Sequence, residues 1–269
     1  MHLTRCGSGD PILFIHGMPT SSRLWRGIIE RLCGRYTCFA VDLPGLGNSP
    51  HEPYDPDFLR HFAEQIDHIR VANKIDKWHV VGHDAGSVVA VYYAHYFPQH
   101  VACMALLSPA LFPELKPFYL LEALRRPIVG EMLAPLICPI FWKIAMHRAV
   151  SGVEHGEQAV GDFCKPFAGF SGSWAFMRVL RWGKPTKVLA DIPGFLPSLL
   201  MPTLIFHGAQ DIAIPETFAR RAAELIPNAS LVNLESGHFI PLNQPGPVAM
   251  GLAGFFDRHT AIPGSATCA

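Results

Sequence analysis

Residues 80–90, which read VVGHDAGSVVA, decide the fold of this chain. A short apolar run leads into the turn GHDAG at residues 82–86, and a second apolar run that can begin a helix follows. A Gly-x-nucleophile-x-Gly turn between a strand and a helix presents its central side chain above the end of a sheet. That centre is usually serine, but here it is Asp84. The motif therefore predicts a sharp turn that presents a carboxylate.

Short apolar runs alternate with helical stretches along most of the chain. This alternation predicts a mostly parallel sheet with helices on both faces, which is an α/β fold. The predicted strands are 11–15, 37–41, 78–81, 101–107, 203–206 and 231–234. The predicted helices are 22–33, 57–73, 86–97, 216–226 and 247–258.

The alternation stops between residues 110 and 200, where prolines recur and long strands are not favoured. We therefore predict a core formed by residues 1–109 and 201–269, interrupted by a helical cap at 110–200. The insert is rich in bulky apolar side chains. Some of them are expected to line a pocket between cap and core, where apolar ligands commonly bind.

Composition limits the classes of partner. The chain has 22 basic and 22 acidic residues and no basic run, so we expect no nucleic-acid partner. No segment offers the ~20 apolar residues of a membrane span, and no signal peptide is evident at the start. The 7 cysteines form no C-x-x-C pair and the 14 histidines no H-E-x-x-H motif. We expect a cytoplasmic protein with no metal and no cofactor; the sequence leaves its oligomeric state open.

Three further turns place polar residues directly after predicted strands. The turn at 16–19 follows the first strand, Asp211 follows the fifth, and His238 follows the sixth. The carboxyl ends of parallel strands meet at one edge of a sheet, where ligands bind. Each residue alone could equally be a turn, cap or packing residue. Together with Asp84 they give the chain order nucleophile, acid, histidine, which is the order of α/β-hydrolases.

The sequence resembles the α/β-hydrolase superfamily over nearly its whole length, and is most similar to haloalkane dehalogenases and epoxide hydrolases. Residues 12–32, ILFIHGMPTSSRLWRGIIERL, resemble the dehalogenase pattern H-G-N-P-T-S-S-x-L-W-R, and residues 40–49, AVDLPGLGNS, resemble the turn after the next strand. The VVGHDAG stretch resembles the G-H-D-W-G turn of both families. The resemblance implies a catalytic triad and an oxyanion hole, formed here by Asp84, Asp211 and His238, and by the N–H groups of Met18 and Ala85.

A carboxylate nucleophile suits displacement at an sp³ carbon, because the product is an ordinary ester. His238 would activate the water that breaks this ester, and Asp211 would orient the imidazole. The sequence departs from the dehalogenase pattern at the two positions where dehalogenases hold the halide with Asn and Trp side chains. Met18 and Ala85 occupy those positions, and their side chains donate no hydrogen bond.

Epoxide hydrolases activate the epoxide oxygen with two cap tyrosines, and the insert contains one, Tyr119. We expect Tyr119 to bind the substrate, and the enzyme to be an epoxide hydrolase-like hydrolase acting on a small but bulky apolar molecule. Three alternatives stay open: a non-hydrolytic cyclase or lyase of natural-product biosynthesis, a haloalkane dehalogenase-like enzyme, and a ligand-binding protein with a vestigial site.

Overall fold

A seven-stranded sheet lies at the centre of the computed structural model, which describes residues 1–116, 119–149, 158, 161–163, 165–167 and 169–259. The strands are β1 (His2–Cys6), β2 (Asp10–Ile15), β3 (Tyr36–Asp42), β4 (Trp78–His83), β5 (Val101–Leu107), β6 (Thr203–Gly208) and β7 (Ala229–Leu234). Their order across the sheet is β1-β3-β2-β4-β5-β6-β7. The first strand pairs antiparallel with β3, and all other neighbours are parallel.

Helices connect the strands. They are α1 (Arg26–Leu32), α2 (Phe58–Ala72), α3 (Ala85–Tyr96), α4 (Tyr119–Leu124), α5 (Val129–Ala149), α6 (Gly169–Leu180), α7 (Pro185–Val188), α8 (Ile192–Phe195), α9 (Glu216–Leu225), α10 (Ile240–Asn243) and α11 (Pro245–His259). Among the helices described, none has the length and apolar character needed to cross a bilayer.

The central strands are buried because both faces of the sheet are covered. All residues of β3, β4 and β6 are buried, which matches their near-continuous apolar sequences. Helix α2 shows how the covering helices pack: its buried residues Leu59, Phe62, Ala63 and Ile66 recur at intervals of three and four, so one stripe faces the sheet. The predicted α/β-hydrolase fold is confirmed.

The first strand was not predicted. His2–Cys6 contains no apolar run, since its residues are half-buried or exposed at the edge of the sheet. It is followed by Gly7 and Gly9, whose φ angles of +87° and +115° favour glycine. This edge strand runs antiparallel, so the predicted parallel alternation does not include it.

The elements described between β5 and β6 are helical, from α4 to α8, with two short 3₁₀ turns at Lys165–Phe167 and Leu196–Ser198. We call residues 110–200 the insert. The helical content of these described residues agrees with the sequence, whereas the division of the chain into a core and a separate cap stays a prediction.

Candidate active site

Asp84 lies on a strained turn between β4 and α3. Its φ and ψ angles are +50° and −120°, an unusual conformation for a residue with a side chain. A Cβ on Gly82 would lie 2.6 Å from the carbonyl oxygen of Gly86, and a Cβ on Gly86 would lie 2.2 Å from that of Ile15. Both glycines are therefore required by close backbone approach, and the predicted sharp turn is confirmed.

Two backbone N–H groups bind the Asp84 carboxylate. The N–H of Met18 donates to Oδ2 at 3.0 Å, and the N–H of Ala85 donates to the same carboxylate. A Cβ on Gly17 would lie 2.6 Å from both Cβ and Oδ2 of Asp84, so glycine allows this loop to approach the carboxylate. The structure thus brings together the three groups that the sequence predicts as nucleophile and oxyanion hole.

His16 holds the loop that carries Met18. Its Nδ1 lies 2.8 Å from the carbonyl oxygen of Gly17, and its Nε2 lies 3.0 Å from the backbone nitrogen of Leu43. A carbonyl oxygen can only accept, so Nδ1 carries the proton and Nε2 accepts. Burial lowers the pKa of His16, which keeps the ring in this neutral form.

Asp211 and His238 are paired beside the elbow. The Nδ1 of His238 lies 2.9 Å from Oδ2 of Asp211, while Oδ1 accepts the N–H groups of Ala213 and Ile214 at 2.8 and 3.0 Å. Burial alone would raise the pKa of Asp211, but the hydrogen bond and charge of His238 and the N–H of Ile214 outweigh it and lower the pKa to about 2. The carboxylate is therefore ionised and oriented toward the imidazole.

The pairing also sets the protonation of His238. Burial would lower its pKa, but the hydrogen bond with Asp211 and the negative charges of Asp211 and Asp84 outweigh burial and raise it. Because Nδ1 donates to Asp211, Nε2 is the atom that accepts a proton when the ring is neutral. This is the arrangement that a general base needs.

His83 lies beside His238 and holds its backbone. Its Nε2 donates to the backbone carbonyl of His238 at 2.9 Å, and the two rings lie with their centroids 4.9 Å apart. Burial, followed by the nearby His238, lowers the pKa of His83 to about 3. The ring is therefore neutral at ordinary pH and acts as a fixed donor.

Burial raises the pKa of Asp84, and the charge of His238 with the N–H groups of Ala85 and Met18 opposes this rise. A carboxylate with few water contacts is a stronger nucleophile than a hydrated one, and the two N–H groups keep one oxygen in place. The other oxygen, Oδ1, is the one that the Met18 N–H leaves available.

Asp84, His238, Met18 and Ala85 line one cavity of about 670 Å³. The residues that line it are mostly apolar. The insert contributes several of these side chains: Leu115, Leu121, Ile144, Val179, Leu180 and Trp182. A site of this size and character suits an apolar small molecule. Among the described residues, no cluster of His, Cys, Asp and Glu could hold a metal ion.

The structure does not bring Tyr119 to this cavity. Its side chain is 97% exposed at the first residue of α4, and no tyrosine belongs to the described lining. The start of α4 directs this residue to the protein surface, so its position gives no support to the expectation that Tyr119 binds the substrate, which stays a prediction.

Polar residues that the sequence did not indicate line the cavity instead: Lys116, Arg125, Gln210 and Asn243. The stretch LEALRRP at residues 121–127 contains two adjacent arginines that look alike in sequence. Only the packing distinguishes them, since the Arg125 side chain is 13% exposed whereas Arg126 is exposed.

Comparison with known proteins agrees with the fold. Residues 10–133 match the family model described as alpha/beta hydrolase fold. The solved haloalkane dehalogenase DbeA from Bradyrhizobium elkani superposes with a TM-score of 0.80 at 22% identity, covering 95% of this chain and 93% of that chain.

Three curated relatives carry different activities. A haloalkane dehalogenase from Mesorhizobium japonicum is 28% identical, over 92% of this chain and 84% of its own. A cis-3-alkyl-4-alkyloxetan-2-one decarboxylase from Shewanella oneidensis is 24% identical, over 89% of this chain and 80% of its own. A soluble epoxide hydrolase from Corynebacterium sp. is 38% identical, but over 35% of this chain and 33% of its own.

Proposed function

Since the chain belongs to the α/β-hydrolase superfamily, we propose that it uses Asp84 as a nucleophile on an sp³ carbon and releases its product through an alkyl-enzyme ester. The single observation that supports this most strongly is the carboxylate on the elbow, bound at Oδ2 by the Met18 N–H at 3.0 Å. A vestigial turn kept only for folding needs no backbone N–H aimed at that oxygen. We further propose that the insert acts as the cap of this site.

In the first step, Oδ1 of Asp84 attacks the carbon that carries the leaving group. A new C–O bond forms to Asp84, and the bond from that carbon to the leaving oxygen breaks. In-line displacement places the departing atom on the side away from Asp84, where the insert forms the wall.

In the second step, Nε2 of His238 takes a proton from water, and the resulting hydroxide attacks Cγ of Asp84. The negative charge that develops on the former carboxylate oxygen is stabilised by the N–H groups of Met18 and Ala85. Removal of one such donor typically lowers the rate by about 10²- to 10³-fold. The ester then breaks, and its alcohol oxygen takes the proton from His238. Asp84 is left as a carboxylic acid, and its proton passes to water or to the group that protonated the leaving oxygen, which regenerates the carboxylate.

We propose an epoxide on a bulky apolar molecule as the first substrate class. The curated soluble epoxide hydrolase supports this choice, and so does the absence of side-chain halide donors at Met18 and Ala85. The opened epoxide oxygen needs one proton. Among the insert side chains of the described wall, Lys116 can supply this proton, or a water molecule in the cavity supplies it. The indole N–H of Trp182 can donate a hydrogen bond to the oxygen but does not transfer its proton.

A second candidate is a four-membered cyclic ester, an oxetan-2-one, which is the substrate named for the Shewanella oneidensis relative. Attack at its sp³ ring carbon releases a carboxylate, which is stable in water without a proton. The lack of a phenol in the described lining favours a leaving group of this kind. A decarboxylase acting on such a ring belongs to the non-hydrolytic cyclase or lyase alternative of the sequence analysis.

Trapping the ester tests the proposal. In the His238→Gln variant, the ester should form but not break, because the water has lost its base. The variant is mixed with 1,2-epoxydodecane, 1-bromododecane or a cis-3,4-dialkyloxetan-2-one, and the intact mass is measured. An epoxide or a lactone adds its whole mass, whereas a bromoalkane adds its mass less that of HBr.

The matched control is the double variant with Asp84→Asn, which lacks the nucleophile and should remain unlabelled. Peptide mapping should place the added mass on the peptide that contains Asp84. Label on another peptide, equal labelling of the control, or no label with any of the three electrophiles would contradict the proposed mechanism.

A further inference from the structure

Arg125 brings a positive charge to a cavity that is otherwise mostly apolar. It follows α4, lines the cavity, and has a side chain that is 13% exposed. Its Nη1 donates to the carbonyl oxygen of Gly183 at 2.7 Å, so the guanidinium is held in a fixed orientation against another residue of the cavity wall. Neither step of the proposed reaction uses this side chain.

The Nε of Arg125 is buried and has no hydrogen-bond acceptor within the described residues. Among the described residues, Glu122 is the carboxylate paired with Arg125, but its Oε2 lies 3.8 Å from Nε, beyond hydrogen-bond distance. Glu122 is also shared, because its Oε1 lies 3.5 Å from Nζ of Lys184. One carboxylate facing two cations leaves net positive charge beside Arg125.

A buried donor without an acceptor is unfavourable, and more so when its group is charged. The guanidinium edge that contains Nε offers two N–H groups in one plane, which matches the two oxygens of a carboxylate. We propose that Arg125 is a specificity-determining residue that binds a carboxylate carried by an otherwise apolar substrate. The proposal rests on the proposed function for the identity of the site and extends it to the substrate class.

A carboxylate fits better than a phosphate ester. One guanidinium with Nη1 already bonded to Gly183 can match a single negative charge and two acceptor oxygens, whereas a doubly charged phosphate would be left with unpaired oxygens against an apolar wall. The charged end of the substrate would lie at Arg125, and its apolar part would extend through the cavity.

Equilibrium binding of unreactive ligands tests this assignment. Isothermal titration calorimetry at neutral pH measures Kd for decanoate, decan-1-ol and decyl phosphate. The wild-type protein should bind decanoate about 10- to 100-fold more tightly than decan-1-ol, the range of one charge-assisted hydrogen-bonded pair. Arg125→Gln should abolish this preference while the Kd of decan-1-ol changes by less than about twofold.

Arg126→Gln is the matched control, because it removes the same charge from the neighbouring, exposed position. It should keep the preference for decanoate. Arg125→Lys retains the charge but loses the planar edge, and should reduce the preference while decan-1-ol still binds. Arg125 also holds the carbonyl oxygen of Gly183 in the cavity wall. Binding of decan-1-ol therefore checks that the cavity is intact in each variant.

Equal affinity of the wild-type protein for decanoate and decan-1-ol would overturn the proposal. So would tighter binding of decyl phosphate than of decanoate, an unchanged preference in Arg125→Lys, or the same loss in Arg126→Gln. None of these measurements needs turnover or an adduct on Asp84. A failure of the trapping experiment and a failure of the carboxylate assignment are therefore distinguishable.

Discussion

Replacing Asp211 by Asn removes the charge that raises the pKa of His238, and the structure gives the size of the effect. The two side chains meet at 2.9 Å, and Asp211 is fully buried, so solvent does not screen the pair. A hydrogen bond to a charged group contributes about 1.5–3 kcal/mol. Replacing Asp211 by Asn removes this contribution, so the pKa of His238 falls from its raised value.

The direction in which the pH profile moves follows from the protonation state that ester hydrolysis requires. Water attack on the ester needs neutral His238, so its rate falls as the pH falls through the pKa of that residue. In the wild-type protein this pKa lies above the ordinary value, and without Asp211 burial lowers it. The acid limb in Asp211→Asn should therefore move to lower pH, while the plateau rate falls by about 10³- to 10⁴-fold.

The assay is single-turnover breakdown of the alkyl-enzyme ester, followed by rapid quench and intact-mass measurement from about pH 5 to about pH 9. It separates ester hydrolysis from ester formation, which requires ionised Asp84 instead. An acid limb that stays in place, or that moves to higher pH, would refute the assignment of Asp211 as the partner of the base.

Two further substitutions test the site and its boundary. Gly17→Ala places a Cβ 2.6 Å from Oδ2 of Asp84, so we expect ester formation to slow by about 10²-fold while the circular dichroism spectrum is retained. The control is Gly194→Ala, whose Cβ meets no atom within 4 Å and which should leave the rate of ester formation unchanged. Equal rates in the two variants would contradict the close approach of Gly17 to Asp84. Tyr119→Phe should change steady-state turnover by less than about twofold, because the side chain is 97% exposed, and a larger loss of rate would return this phenol to the mechanism.

The sequence predicted the geometry of the candidate site well because local chain geometry determines it. A Cβ on Gly82 or Gly86 would lie 2.6 or 2.2 Å from a backbone oxygen, so both positions require glycine. Such a requirement is visible in the sequence as a motif. Asp211 and His238 each follow a strand of a parallel sheet, so the topology alone brings them to the same edge. Their catalytic roles stay predictions until the ester is trapped.

The lining of the cavity was not predictable in the same way. Whether Tyr119 or Arg125 faces the cavity depends on how a short helix of the insert rotates against its neighbours, and no turn or strand fixes that rotation. The sequence favoured Tyr119 for its chemistry, and the packing places it in solvent while burying Arg125. The edge strand β1 was missed for a related reason, because half-exposed residues leave no apolar pattern.

The hydrogen bond from His83 to the carbonyl of His238 has a mechanical consequence. His83 is the residue immediately before the nucleophile, so one side chain joins the loop of the base to the elbow of Asp84. A displacement of either loop must break that bond or carry the other loop with it. The side chains of His238 and Asp84 thus belong to one stiff frame anchored in the sheet, and the frame keeps the spacing between them constant.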